Sequence, residues 1–341
     1  MRMLVLSLVS LICAAAVGFV WYGSFTETAN VSALDLPLYY TERKTWTEPI
    51  RPIPQTVKLN AQKVALGQKL FHDKRLSRDG TVSCASCHNL RAGGDDGRTV
   101  SAGIDGALGN INAPTVFNSG FNFVQFWDGR ASTLEDQIDD PINHPKEMGA
   151  NWPAIETRLR GVPQYVEHFD SLYRDGITAR NIKDAIATFE RSLITPNSRF
   201  DRYLNGDHAA ITQDELAGYA NFKSFGCVSC HQGVNVGGNM YQAFGIMLSR
   251  RDADTAVKRV DLGRFNVTGR EEDKYVFKVP SLRNIALTAP YFHDGLGPDL
   301  PAAVRVMAKL QLGQQLTEHQ VSAIVAFLHT LTGDMPITAL K

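Results

Sequence analysis

Cysteine is scarce in this chain, with five in 341 residues. One of them, Cys13, lies in an apolar stretch near the N-terminus, and the other four belong to two short motifs. Because no pair of cysteines is left over, a framework of disulfides is excluded.

Net charge is also absent, since 35 basic residues balance 35 acidic ones. A basic surface that would bind nucleic acid or an anionic membrane is therefore not expected. Hydrophobic residues make up 44% of the chain, as in soluble globular proteins. The length allows one large or two ordinary domains.

The other four cysteines form two C-x-x-C-H motifs, Cys84-Ala85-Ser86-Cys87-His88 and Cys227-Val228-Ser229-Cys230-His231. C-x-x-C-H is the attachment signature of c-type haem. The two thiols can each bond one vinyl group of the same porphyrin, and the adjoining His then reaches the iron as its proximal ligand. The sequence therefore predicts two covalently bound haem c groups.

Two other uses of C-x-x-C fit these motifs less well. A structural zinc site has its Cys-x-x-Cys pairs some tens of residues apart, whereas these motifs lie at 84–88 and 227–231. A thioredoxin-like redox pair does not need the following His, and it is not expected twice in one chain.

Residues 4–22 contain no charge and follow Arg2. This pattern indicates an export leader, although its apolar run is longer than the usual core of about 7–15 residues. It is also just long enough to cross a bilayer as one helix. We expect residues 1–23 to be a signal peptide or a membrane anchor, and the folded part to be exported.

Apolar residues at helical spacing predict helices over 60–70 and 178–193, and no long alternating run predicts a competing strand. Residues 195–198 then interrupt the helical pattern, and the second half repeats the plan of the first. We predict a mainly α fold with two cytochrome c-like haem domains, residues 24–196 and 197–341, and extensive irregular loops.

The second axial ligand of each iron decides what that iron does. A Met or His ligand makes it a six-coordinate electron carrier, and Met raises its reduction potential. A vacant position binds peroxide or oxygen. Seven of the nine His and all seven Met lie outside the motifs, and spacing alone does not choose among them.

Two longer blocks, Asn112 to Arg130 and Val279 to Gly295, resemble the bacterial di-haem cytochrome c peroxidases. They read NAPTVFN…QFWDGR and VPSLRN…LTAPYFHDG. The resemblance runs from about residue 60 to the C-terminus and includes both haem motifs in order. The same superfamily includes the methylamine dehydrogenase maturation enzymes, which oxidise a protein tryptophan.

The resemblance implies that the two haems have different tasks. The haem bound by His88 would be the peroxidatic centre, and the haem bound by His231 and Met307 would store and relay an electron. The tryptophan-oxidising relatives have Tyr in place of this Met, so Met307 favours a peroxidase. Trp127 matches the tryptophan between the two haems, although an aromatic beside a tight turn also packs into a core without any further role.

Cleavage of peroxide requires a group that takes a proton from the near oxygen and returns it to the leaving oxygen. By resemblance, Glu147 does this and the amide of Gln137 orients the peroxide. Read from the residues alone, Glu147 fits a solvated loop charge as well. Glu135 and Asp136 are nearby alternatives.

A calcium ion between the haem domains is also implied by the resemblance. Hard cations prefer oxygen ligands. The matching ligands are the side chain of Asn112 and the backbone carbonyls of Thr288 and Pro290, with water supplying the rest.

The sequence departs from the family pattern at Ile104. Many members carry a His about sixteen residues after the first motif, and this distal ligand must leave the iron before turnover. Ile cannot bind iron, and no other His lies between His88 and His144. We expect the first haem to be five-coordinate or water-bound at rest, with His144 on a moved loop as the alternative ligand.

The expected function is periplasmic reduction of hydrogen peroxide to water, with electrons from a small cytochrome c or copper protein. Two alternatives stay open: a protein-modifying oxidase of the maturation type, and a non-catalytic di-haem electron-transfer cytochrome. The first would show weak turnover with cytochrome c, and the second would have two six-coordinate irons that peroxide does not perturb. No nucleic-acid partner is expected, and a homodimer is left open.

Overall fold

The computed structural model describes residues 47–248 and 257–336, which fall in one compact unit. The predicted leader, residues 1–23, lies outside these residues. Among the helices described, none is both long enough and apolar enough to cross a membrane.

The described part of the chain is mainly helical, which confirms the predicted fold class at this level. Its α-helices are α1 (Ala61–Phe71), α2 (Cys84–Cys87), α3 (Leu134–Asn143), α4 (Trp152–Arg160), α5 (Pro163–Leu172), α6 (Ala179–Ser192), α7 (Arg199–Leu204), α8 (Gln213–Ser224), α9 (Phe265–Thr268), α10 (Leu300–Leu312) and α11 (Glu318–His329). Its two short strands, β1 (Tyr241–Ala243) and β2 (Val276–Lys278), form an antiparallel pair.

The first hydrophobic core is built around α1 and α6. Asn60 caps α1 by accepting hydrogen bonds from the backbone N–H groups of Gln62 and Lys63, and Thr178 caps α6 through the N–H of Asn181. The apolar faces of both helices are buried in one cluster with residues of α3, α4 and α5.

The second core is built in the same way around α8 and α11. Both helices begin with a capping box, in which Thr212 pairs with Glu215 and Thr317 pairs with Gln320. Their buried faces meet in a separate cluster that is rich in aromatic side chains.

Each of these helix pairs crosses at a glycine. A Cβ atom on Gly67 would lie 1.9 Å from the carbonyl oxygen of Ala185, and one on Gly218 would lie 1.9 Å from that of Ala323. The two backbones therefore touch, and no side chain larger than hydrogen fits between them.

The loops that follow the motifs also repeat. Asn118 and Asn284 both have a left-handed backbone, with φ of 60° and 58°. The side-chain oxygen of Asn118 accepts a hydrogen bond from the N–H of Thr195, and that of Asn284 accepts one from the N–H of Gly333. One bond thus connects the loop at Asn118 to the segment after α6, and the other connects the loop at Asn284 to the segment after α11.

The segments 125–131 and 291–297 form a second matching pair of loops. Each is closed by an isolated antiparallel bridge between its first and last residues, and each leads into a capped helix, α3 or α10. In this register Trp127 of the first segment corresponds to His293 of the second.

Replacement of Gly67 by Ala is expected to lower the free energy of unfolding by about 1–3 kcal/mol, because overpacking forces the helices apart. Chemical denaturation followed by circular dichroism measures the change. Gly109→Ala is the matched control, since its Cβ would meet its nearest neighbour, the carbonyl oxygen of Ser101, at 3.5 Å. Equal stability of Gly67→Ala and the wild type would contradict the proposed backbone contact.

Candidate haem-binding sites

A large apolar cavity lies beside the second C-x-x-C-H motif. Cys227, Cys230 and His231 border it, and so does Met307 of α10. Much of the rest of its wall is apolar and includes Phe222, Phe277, Leu300, Val304, Ile324 and Leu328. The proposed proximal ligand and the proposed distal ligand thus border one cavity.

The two motif histidines have matching environments. Nδ1 of His88 lies 3.1 Å from the carbonyl oxygen of Gly94, and Nδ1 of His231 lies 3.4 Å from that of Val236. Burial lowers the pKa of His88, and it lowers the pKa of His231 to about 4. Both imidazoles are therefore neutral at pH 7, and donation from Nδ1 leaves Nε2 free to bind a metal.

Burial keeps three of the motif thiols protonated, since it raises the pKa of Cys84 and of Cys87, and it raises the pKa of Cys227 to about 11. All four motif cysteines are free of disulfide bonds. A buried protonated thiol is a poor metal ligand and a poor redox nucleophile. No cluster of three His, Cys, Asp or Glu residues suited to a metal ion occurs in residues 47–248 and 257–336.

Lys278 supplies a positive charge to the second cavity. It borders the cavity and is buried, and its ammonium group has no hydrogen-bond or ion-pair partner in the described part of the chain. Burial lowers the pKa of Lys278 to about 8, although the negative charge of Asp128 acts to raise it. An unpaired buried ammonium is costly, and a porphyrin propionate would neutralise it. The cavity therefore fits a haem through its apolar wall, thiols, imidazole and cation.

Glu147 lies on the loop after α3, and the chain around Ile104 holds this loop in place. The N–H of Ile104 donates to the carbonyl oxygen of Glu147 at 2.8 Å. A Cβ atom on Gly103 would lie 2.0 Å from the carbonyl oxygen of Lys146. Ile104 is buried, and its side chain contacts the backbone at Gly149.

The charge of Glu147 contributes to the raised pKa of the Cys87 thiol in the first motif, and 48% of the Glu147 side chain is exposed. Desolvation raises the pKa of Glu147, while the charges of His144 and Arg130 oppose this shift. The ring of His144 is 3.6 Å from the carboxylate. Gln137 is half-buried on α3, and its side chain has no partner among the described residues.

The two alternative acids on α3 have partners. Both carboxylate oxygens of Glu135 accept hydrogen bonds from Arg191, at 2.7 and 2.8 Å. The carboxylate of Asp136 accepts one from the hydroxyl of Ser132 at 2.6 Å. These bonds occupy both groups and leave Glu147 as the better candidate for proton transfer.

Trp127 connects the two halves of the protein. Its Nε1–H donates to the carbonyl oxygen of Asn112 at 3.0 Å, and its own carbonyl oxygen accepts from the N–H of Lys278 at 2.8 Å. Its ring is 6.3 Å from the ring of His293 and borders the second cavity.

His293, the counterpart of Trp127, was missed from the sequence as a site residue. It is buried, its ring stacks on Phe277 at 4.5 Å, and its Nε2 lies 3.1 Å from the carboxylate of Asp261. The matching strings QFWDG and YFHDG carry the signal that would have found it.

The three predicted calcium ligands are found at one cavity. Asn112, Thr288 and Pro290 all border the second cavity. The side-chain N–H of Asn112 donates to the carbonyl oxygen of Arg98 at 2.8 Å. This bond turns the amide so that its oxygen is available to a cation.

Asp95 adds a carboxylate to this region that the sequence reasoning missed. It is buried, and burial raises its pKa. A Cβ atom on Gly93 would lie 2.5 Å from Oδ1 of Asp95 and 2.7 Å from the carbonyl oxygen of Leu287. Two oxygen acceptors therefore lie close to each other beside Gly93.

Comparison with known proteins identifies relatives over most of the chain. The family model for di-haem cytochrome c peroxidase matches residues 61–209. A cytochrome c peroxidase of Escherichia coli strain K12 is 50% identical over 84% of this chain, which spans 61% of that protein's length. A cytochrome c551 peroxidase of Nitrosomonas europaea is 49% identical, and the match covers 85% of each chain.

The fold has relatives among solved structures. A MauG-like protein associated with microbial copper homeostasis matches with a TM-score of 0.73 and 31% identity. The match covers 86% of this chain and 95% of that one.

Trp127→Phe is expected to lower the free energy of unfolding by about 1–3 kcal/mol, since the buried carbonyl of Asn112 loses its donor. Urea denaturation followed by circular dichroism tests this. Trp152→Phe is the control, because its lost bond runs to Asp139, a half-exposed carboxylate that water and Lys183 still satisfy. An equal loss in both variants would contradict a special role of the Trp127 bond.

Proposed function

This chain belongs to the di-haem cytochrome c peroxidase family, as its motifs predicted, and we propose that it reduces hydrogen peroxide to water with electrons from a small redox protein. The observation that carries the proposal is that Met307 borders the same cavity as His231. A Met ligand suits an electron-relay haem, which leaves the first haem for peroxide.

Four cysteines would bind the two haems covalently, Cys84 and Cys87 in the first half and Cys227 and Cys230 in the second. The bound haems supply the one-electron redox chemistry. His88 and His231 would hold the irons, and hydrogen bonds from Nδ1 to backbone carbonyls orient both rings and would make them more basic ligands. Lys278 would pair with a propionate of the second haem.

The overall reaction consumes two electrons and two protons for each H2O2 and yields two molecules of water. Glu147 takes the proton from the near oxygen of the peroxide and delivers it to the leaving oxygen. Its pKa, raised by desolvation, suits a group that must both accept and release a proton. Gln137 orients the peroxide through its amide, and Trp127 lies on the route between the halves.

We also propose a calcium ion bound by the side chain of Asn112 and the backbone carbonyls of Thr288 and Pro290. The ion would link the two halves, because Asn112 belongs to the first and the carbonyls to the second. Protein oxygens and water are the ligands that calcium prefers.

The proposed location is the periplasm. The uncharged residues 4–22 support export, and covalent attachment of haem c takes place outside the cytoplasm. The electron donor would be a small cytochrome c or copper protein. Retention of the leader would anchor the enzyme to the membrane.

Glu147→Gln is expected to lower kcat for peroxide reduction by about 10²–10⁴-fold, because Gln cannot transfer the proton. Steady-state turnover of the purified holoprotein with reduced cytochrome c measures this. Asp136→Asn is the control, since Asp136 is exposed and bonded to Ser132. Full activity of Glu147→Gln would exclude the assignment, and a holoprotein that turns over no peroxide would exclude the proposed function.

The wild type is expected to have a high-spin first haem at rest and to turn over without a reductive lag, because Ile104 cannot bind iron. Ile104→His should introduce a low-spin signal and a lag. Electron paramagnetic resonance and rapid-mixing kinetics measure both properties. His144→Ala should leave the resting spectrum unchanged, and a bis-His signal in the wild type that this variant abolishes would identify His144 as the ligand instead.

A further inference from the structure

Glu190 is a buried acid that the proposed mechanism does not use. It lies near the end of α6 with 5% of its surface exposed. Its Oε2 has no hydrogen-bond partner in the described part of the chain. Burial raises its pKa to about 8. Such a carboxyl is costly to bury, and this cost points to a functional role for Glu190.

The charge of Glu190 acts on the first haem motif. After burial itself, its charge is the largest influence that raises the pKa of the Cys84 thiol. The internal repeat supports the same placement. Ala185 and Ala323 occupy equivalent helix crossings, so the residue five positions later is Glu190 in the first half and Leu328 in the second. Leu328 borders the second haem cavity.

Several charged and titratable groups lie near this part of α6. They belong to α6 itself and to the elements packed against it, and they are Lys63, His72, Cys84, His88, Glu135, Asp184 and Arg191. Lys63 is paired with Asp184 at 2.6 Å, and Arg191 is paired with Glu135 at 2.7 Å. Arg191 favours the charged form of Glu190 and Glu135 opposes it. Arg191 is thus bonded to Glu135, while Oε2 of Glu190 has no hydrogen-bond partner in the described part of the chain.

We propose that Glu190 couples reduction of the first haem to the uptake of one proton. The proposal rests on the assignment of a haem to His88. At a pH at which Glu190 is ionised while the haem is oxidised, its carboxylate would bind one proton from solvent when this haem gains one electron from the donor through the second haem. When the electron leaves, the proton returns to solvent. Charge in the buried pocket is thereby conserved in both directions.

The same placement separates the reduction potentials of the two haems. A carboxylate beside the first haem stabilises its oxidised form, because added negative charge is disfavoured in a buried pocket. The second haem has Leu328 at the equivalent position and the ammonium group of Lys278 in its cavity. At a pH at which Glu190 is ionised and Lys278 is protonated, these opposite buried charges would lower the potential of the peroxidatic haem and raise that of the relay haem.

The test is a spectroelectrochemical titration of both haems in the holoprotein over a series of pH values. In the wild type, the midpoint potential of the first haem should fall as pH rises through the titration of Glu190. The limiting slope is about 59 mV per pH unit, the one-electron equivalent of a tenfold change in proton activity. Glu190→Gln should abolish this dependence and raise the potential at alkaline pH.

The second haem is the internal control, and its pH profile should be the same in wild type and Glu190→Gln. Glu190→Asp should keep a proton-coupled profile with a displaced midpoint, and it serves as the test if the Gln variant does not load haem. An unchanged first-haem profile in Glu190→Gln, or in Glu190→Asp where that variant serves, would overturn the proposal.

This titration uses no peroxide, so its outcome is separate from that of the turnover assay. A holoprotein with the expected pH profile and no peroxide turnover would contradict the proposed function alone. Normal turnover with a pH-independent first haem would contradict the role of Glu190 alone.

Discussion

In each half, a helix glycine contacts a carbonyl oxygen of the facing helix. This contact determines where an aromatic side chain lies beside the motif histidine. At Gly67 and Ala185, and again at Gly218 and Ala323, the backbones approach so closely that no Cβ fits. One turn beyond each glycine, Phe71 and Phe222 then pack on the aromatic ring of the facing helix and lie about 6.5 Å from the motif histidine. A wider crossing would move this ring away from the imidazole.

This frame occurs twice, and the chemistry lies in the positions at which the copies differ. Trp127 of the first half corresponds to His293 of the second, and the two rings meet where the halves join. Glu190 corresponds to Leu328, so a carboxyl takes the place of an apolar contact at one haem motif. The frame needs only small and apolar residues at its contacts, which leaves the other positions free to diverge.

Several parts of the fold could be predicted from local patterns. The predicted helix over 178–193 is α6, Ala179–Ser192, because its apolar spacing and Thr178 cap act within a few turns of chain. The acids near α3 could not be ranked in this way. Glu135 is disfavoured by a bond to Arg191, which is 56 residues away, and such a contact leaves no local signature. Lys278 reads as an ordinary surface lysine until its burial is known.

The sequence by itself determined the two haem motifs, because two thiols and an imidazole within five residues can meet one porphyrin whatever the rest of the chain does. The resemblance of residues 112–130 and 279–295 indicated the family. Only the tertiary structure decided which remote groups face those motifs. Met307 borders the cavity of His231, the chain around Ile104 holds the backbone at Glu147, and the buried Oε2 of Glu190 has no hydrogen-bond partner in the described part of the chain. The reason is that each of these placements depends on packing between segments far apart in the chain, which spacing along the chain does not encode.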